Sequence, residues 1–347
     1  MRLCICLLLG LGLTLSISAL AAPPPSYHLV KTIAVGGDGG WDCLTFDNAA
    51  NRLYIARSTR VQVVDVEKGV LVGEVANTQG VHGVALVPKL KRGYASNGQD
   101  NSVTVFDLAT LKEVERIKVG TKPDVIIFDL KVKRVFTSNG GSNDATAIDV
   151  ATNKVVGTVA LGGKPEFAVD DGDSIFVNIE DTSEVVSFDP KTLAVKNRWP
   201  LAPGEGPSGL ALDAGNRWLL SVCSNEKMVV LDADTGKVET TLPIGKGPDG
   251  AACDSKTGLA FSPNGQDGTL TVVKEESVAR GSSLKAKFSV LATVPTQVSA
   301  RTMALDPKTG NIYLGAAKFV TPPAGQPTQG RRRQIEPGSF VILVFGK

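Results

Sequence analysis

Residues 94–120 read YASNGQDNSVTVFDLATLKEVERIKVG, and residues 135–162 read VFTSNGGSNDATAIDVATNKVVGTVALG. Both follow one plan. A β-rich run ends in Ser-Asn, and a turn rich in Gly and Asn follows. A second β-rich run ends at an acid, and a third ends in Gly. Outward from this pair the same acid recurs about every forty residues. It is Asp65 in VQVVDV, Asp107 in VTVFDL, Asp149 in ATAIDV, Asp189 in VVSFDP and Asp232 in MVVLDA. A further short run opens each unit, as in WDCLTFD, VHGVALV, PDVIIFD, PEFAVD and PSGLALD.

One unit is therefore four short strands, a to d, separated by Gly, Asn, Asp and Pro. No sustained helical period appears beyond the N-terminal apolar stretch. A single four-stranded sheet cannot cover both of its faces, but copies stacked in a ring cover one another. Two degenerate units follow the five clear ones: PDGAACD, TGLAFS and GTLTVVK, then TMALDP, GNIYLGA and SFVILVF. The last unit lacks strand d, and YHLVKTIAVGG near the N-terminus has the character of one. The expected fold is an all-β, seven-bladed propeller of four-stranded blades, closed by a strand near Leu29–Val35 that hides an exposed edge.

The repeat resembles the YVTN-type β-propeller repeat shared with the YncE-like periplasmic proteins of bacteria. The resemblance covers essentially the whole chain after its first residues. It implies a binding role without catalysis, with single-stranded DNA among the ligands of such proteins.

The first residues read as a secretory signal. Met1-Arg2 are the basic start, Leu3 to Leu20 the apolar stretch, and Ala19-Leu20-Ala21 the A-x-A cleavage site. Residues 1–21 are then the signal and 22–347 one propeller domain, periplasmic or extracellular. Composition agrees with a globular all-β chain: 42% hydrophobic, 21% charged, 37 Gly and 19 Pro among 347 residues. A net charge of +2 gives no general pull toward nucleic acid or membrane. Cys43, Cys223 and Cys253 remain after cleavage, and a Cys43–Cys253 bridge is open on sequence grounds.

Function should gather where each strand a begins, at the mouth of the central channel. These positions are Asp42, His82, Asp124, Glu166, Ser208, Asp249 and Arg301, all polar although their strands are apolar. A polar funnel suits a small polar ligand, a cationic group or a protein partner held by a monomer. Asp42, Asp124, Glu166 and Asp249 are candidate oxygen ligands for Ca²⁺. Asn97, Asn139 and Asn264 recur in the b–c turns, as rim amides or as turn residues tolerant of left-handed backbone. Arg331, Arg332 and Arg333, in a long Pro- and Gly-rich b–c insert, are a further rim candidate for an anion or a nucleic-acid phosphate.

Absences narrow the chemistry. With only His28 and His82, a multi-histidine copper site cannot be built and axial histidine ligation of haem has little to draw on. No C-x-x-C-H, G-x-S-x-G or glycine-rich phosphate loop occurs. Haem, copper and nucleotide are not expected. A hydrolase of the metal-dependent lactonase or esterase kind, with carboxylates at the channel mouth, is the alternative to a binding protein.

Overall fold

The computed structural model describes residues 27–276, 286–320 and 334–347. Their strands form seven antiparallel sheets of four strands each. Blade 1 is Leu44–Asp47, Arg52–Arg57, Arg60–Asp65 and Val70–Val75, in that order from strand a to strand d. Blade 7 is composite. Met303–Leu305, Ile312–Ala316 and Val341–Gly346 are joined on their outer side by His28–Ala34. This strand pairs Thr32 with Leu343 and Ile33 with Ile342, so the two ends of the chain share one sheet. The one helical turn among the described residues is a 3-10 turn at Pro88–Leu90.

Packing explains the sequence pattern. Strands b and c meet neighbouring blades on both faces and are largely apolar; Leu53 to Arg57 is buried at every residue. Strands d lie outermost, and of Lys154–Ala160 only Val159 is buried. Each junction between neighbouring blades holds its own buried cluster. Tyr54 and Val63 of blade 1 pack with Val84 and Phe106 of blade 2. The closing junction is filled in the same way: Ile33, Tyr313 and Phe340 meet Leu53 and Val64. Removing this apolar surface from water, junction after junction, is the main force holding the ring.

The acid that reveals the repeat has a local cause. Asp107 Oδ1 accepts the amides of Ala109 and Thr110 at 3.0 and 2.8 Å, and the Thr110 hydroxyl at 3.0 Å. Asp149 and Asp232 hold their c–d turns in the same way. The short side chain supplies the acceptor that a tight turn leaves missing. A second set ends strand a: Asp47, Asp129, Asp213, Asp254 and Asp306 each accept amides of the following turn and are nearly or fully buried.

Two charged groups lie deep in this framework. Arg57 is fully buried, and its guanidinium gathers the loop that follows the closing strand. Nη1 donates to the carbonyls of Gly39 and Gly40 at 2.8 and 3.2 Å. Nη2 reaches those of Gly36 and Gly37 at 3.2 and 3.1 Å, and Nε donates to Gln62 at 2.9 Å. The guanidinium also lies 3.9 Å from the Phe340 ring centre. Burial, then repulsion from Arg60, lowers its pKa to about 10, so it stays charged at neutral pH. At the opposite end, Glu275 of blade 6 is 6% exposed and leans on Asp213 of blade 5. Its Oε1 finds no hydrogen-bond donor. Burial first, then Asp213, pushes its carboxyl up to about 7.

Cys43, Cys223 and Cys253 are all free thiols. Residues 1–21 and Arg331–Arg333 lie outside the described residues. No described helix is long and apolar enough to cross a membrane.

Candidate functional site at the channel mouth

The mouth residues are positioned by a repeated irregularity. In blades 2 to 5 the ladder between strands a and b skips just after its first pair. It passes from Val81 to Val84, Pro123 to Ile126, Pro165 to Ala168 and Pro207 to Leu210. A bulge takes a side chain out of the ladder and re-aims it. Here it releases His82, Asp124, Glu166 and Ser208, each after a buried residue. Asp42, Asp249 and Arg301 occupy the same place after buried Trp41, Pro248 and Ala300. All seven are half-buried.

The ring does not act as one evenly spaced set. It breaks into local groups. His82 Nδ1 stands 2.6 Å from Asp42 Oδ2 and 3.6 Å from Asp124 Oδ1. Lys164 Nζ pairs with Glu166 at 2.7 Å and also with Glu180. Arg301 donates from Nε to Asp249 at 2.6 Å and from Nη2 to the Trp41 carbonyl at 3.0 Å. Ser208 donates to the Pro248 carbonyl at 3.2 Å. Its hydroxyl thus has a partner of its own, and His82 faces two carboxylates. The four carboxylates expected to share Ca²⁺ therefore do not converge. Asp42 and Asp124 meet around His82, whereas Glu166 and Asp249 turn to a lysine and an arginine.

Charge at the mouth follows from this grouping. Burial opposes protonation of His82, but the hydrogen bond to Asp42 and the charges of Asp124, Asp42 and Glu166 outweigh it. Its pKa rises to about 9. Asp124, Glu166 and Asp249 are raised as well, by burial first and then chiefly by neighbouring carboxylates. Lys164 and Arg301 offset this only in part. The Cys43 thiol beside them is pushed up too, by burial and by the surrounding acids, and is held as the neutral thiol.

The repeated asparagines are not rim groups. Asn97, Asn139 and Asn264 are fully buried. Asn97 Nδ2 donates to Ser102 and Thr104 at 3.1 and 2.8 Å; Asn264 donates to Thr269 and Thr271 at 3.0 and 2.9 Å. Asn139 bonds Asp144 and Thr146 in the same way. These amides brace the b–c hairpin from inside. The left-handed turn residues are Asn101 and Asn143 instead.

Several site residues carry no repeat signal. Glu180 and Trp41 are peculiar to single blades, Lys164 shares its place with Lys122, whose blade has no counterpart of Glu180, and Arg57 reads as an ordinary strand residue. Gly98 gives a clearer hint because it follows the bracing Asn97. A Cβ there would lie 2.9 Å from both Cδ2 and Nε2 of His82, so the imidazole packs where only glycine leaves room. That edge lies opposite Nδ1, which already stands 2.6 Å from Asp42, so Gly98→Ala leaves the ring no room to slide and should make it rotate out of this place. By proton NMR, the His82 titration midpoint should fall from about 9 toward the ordinary 6.5. An unchanged midpoint would show that the ring is not held from this side.

Three open clefts meet at the mouth. One of about 650 Å³ is lined by Trp41, Ser58, Arg301, Phe319 and Ile335. One of about 610 Å³ runs past Lys246, Asp249, Gln266 and Arg301. The third, of about 330 Å³, opens on Asp42, His82, Gln99 and Arg301.

Comparison with known proteins gives a likeness of fold. Neither a protein-family model nor a curated protein matches the chain. Among solved structures, hydrazine synthase of Kuenenia stuttgartiensis superposes with a TM-score of 0.67 at 19% identity, over 79% of this chain and 92% of that one. The WD40 repeats of RRP9 give 0.72 at 9% identity, over 92% and 97%. The U3-55K structure gives 0.72 at 10% identity, over 91% and 98%. One of these is named as an enzyme and another for its repeats, so the shared ring leaves activity open. With seven four-stranded sheets in a closed ring, the chain is a seven-bladed β-propeller.

Proposed function

We propose that this propeller is a secreted binding protein that takes a small polar ligand at the top-face mouth of its channel. The observation that carries this reading is the meeting of all three clefts at Arg301. Its guanidinium is held by Asp249 and the Trp41 carbonyl, with the Trp41 ring centre 5.7 Å away. A fixed cation flanked by aromatic Trp41 and Phe319 and ringed by polar groups suits one small ligand. The YVTN-type repeat supports membership of the YncE-like group, and Ala19-Leu20-Ala21 supports export. A metal-dependent hydrolase is the second reading. It is favoured by the grouping of Asp42, His82 and Asp124, and it depends on the ion argued for below.

A thermal-shift panel of small polar metabolites tests the binding reading. A ligand present at a hundred times its Kd should stabilise the protein by about 2.7 kcal/mol. Arg301→Gln should weaken each hit at least tenfold. A panel without a hit, or hits that stabilise Arg301→Gln equally, would overturn it.

A further inference from the structure

The grouping of His82 with two aspartates has a chemical use that the ligand clefts do not explain. We propose that Asp42, His82 and Asp124 bind one divalent transition-metal ion of the Zn²⁺ type. One atom from each residue lies within 4.8 Å of the other two. Among the described residues this is the one such cluster of three. Ligand atoms around a tetrahedral Zn²⁺ stand about 3.3 Å apart, given bonds of about 2.0–2.2 Å. The distances from His82 Nδ1, 2.6 and 3.6 Å, straddle that spacing. An ion entering between them replaces the Nδ1 proton, which leaves to solvent.

The donor set decides the class of ion. An imidazole nitrogen with two carboxylates suits Zn²⁺, Mn²⁺ or Fe²⁺. Ca²⁺ takes six to eight oxygens, and a nitrogen at the centre of the group counts against it. The backbone around the ligands is anchored from neighbouring strands. The Thr302 hydroxyl donates to the Asp42 carbonyl at 2.9 Å, and the Ser96 hydroxyl donates to the Asp124 carbonyl. The Asp42 amide bonds the Ala56 carbonyl at 3.0 Å, and the Cys43 amide bonds that of His82 at 3.0 Å. Gly98 leaves the room in which the imidazole lies with Nδ1 toward the carboxylates. These contacts fix the backbone from which the three side chains project.

The cluster is also accessible. The side chains of His82, Asp42 and Asp124 are 37%, 23% and 24% exposed, and the third cleft reaches the first two. Three protein ligands beside a cleft leave coordination positions for water or a ligand group, as in metal sites that act on bound molecules. The charge balance points the same way. Asp42, Asp124, Glu166, Glu180 and Asp249 face Lys164 and Arg301 besides His82, an excess of carboxylates over fixed cations.

The test uses the untagged protein and its two histidines. Equilibrium dialysis against Zn²⁺ should give one bound ion per chain. Titration with Co²⁺ should shift the ring-proton NMR signals of His82 and leave those of His28 in place. His82→Gln and Asp124→Asn should each weaken uptake at least tenfold. The wild-type histidine spectrum keeps the test valid if either variant folds poorly. No stoichiometric uptake, or equal response of both histidines, would overturn the proposal. Arg301→Gln removes a cation beside Asp42 and should weaken ligand hits without weakening uptake, which separates this result from the ligand reading.

Discussion

Replacing Arg57 with methionine should cost the fold about 3 kcal/mol or more, the largest loss expected from any single change near the closure. A buried acceptor left without a donor costs about 1–3 kcal/mol. Arg57 serves four backbone carbonyls between Gly36 and Gly40 at 3.2 Å or less, as well as Gln62. Water entering the emptied site will satisfy some of them, so the sum is not reached. Methionine fills much of the volume and can lie against Phe340, which isolates the hydrogen-bonding loss. Lysine should not rescue it, because one ammonium cannot span carbonyls that a planar fork reaches from two ends. Urea unfolding of the three proteins gives the answer. A loss below about 1 kcal/mol would mean that the loop rehydrates freely and the arginine is dispensable.

Glu275→Gln should do the reverse above neutral pH. The Glu275 carboxyl moves from 4.5 to about 7 on folding. The folded chain holds this proton more tightly than the unfolded chain. Its contribution to stability is therefore complete below about pH 4.5 and fades as pH rises through 7. The shift corresponds to about 3 kcal/mol at most. Glutamine presents a donor to Asp213 and has no charge to form. We expect the variant to gain about 2–3 kcal/mol over the parent at pH 8 and little at pH 4. Acids at the channel mouth titrate with the same sign, so the decisive quantity is the difference between the two stability curves. Parallel curves from pH 4 to pH 8 would show that Glu275 ionises without penalty.

Much of this architecture was legible because the repeat records physical necessity. The turn-closing aspartates recur since every c–d turn needs the same acceptor, and Asp107 and Asp149 meet that need identically. Strands b read as largely apolar runs ending in small or polar residues, since both of their faces are covered. The mouth positions could be placed by alignment because the bulge recurs at one point in the unit. Their partners could not. Whether His82 would face Asp42 or Ser208 depends on side-chain direction across blades, which spacing in one blade does not encode. Asn97, Asn139 and Asn264 were ambiguous for a related reason. A polar residue beside a turn looks the same in sequence whether its amide faces water or threads back between Ser102 and Thr104. Arg57 was silent because a buried cation satisfied only by carbonyls leaves no acidic counterpart to notice.

The composite seventh blade sets an order of events for a chain made from its N-terminus. His28–Ala34 emerges before the first six blades, yet its partner Val341–Gly346 emerges after them. Until Val341–Gly346 is made, the earlier strand has blade 1 to lean on but no strand to pair with, and until Gly310 is made Tyr27 lacks the carbonyl it finally bonds at 3.1 Å. Six blades can stack as they appear, each on its predecessor, but the circle becomes a circle only when a strand made before all of them meets one made after all of them.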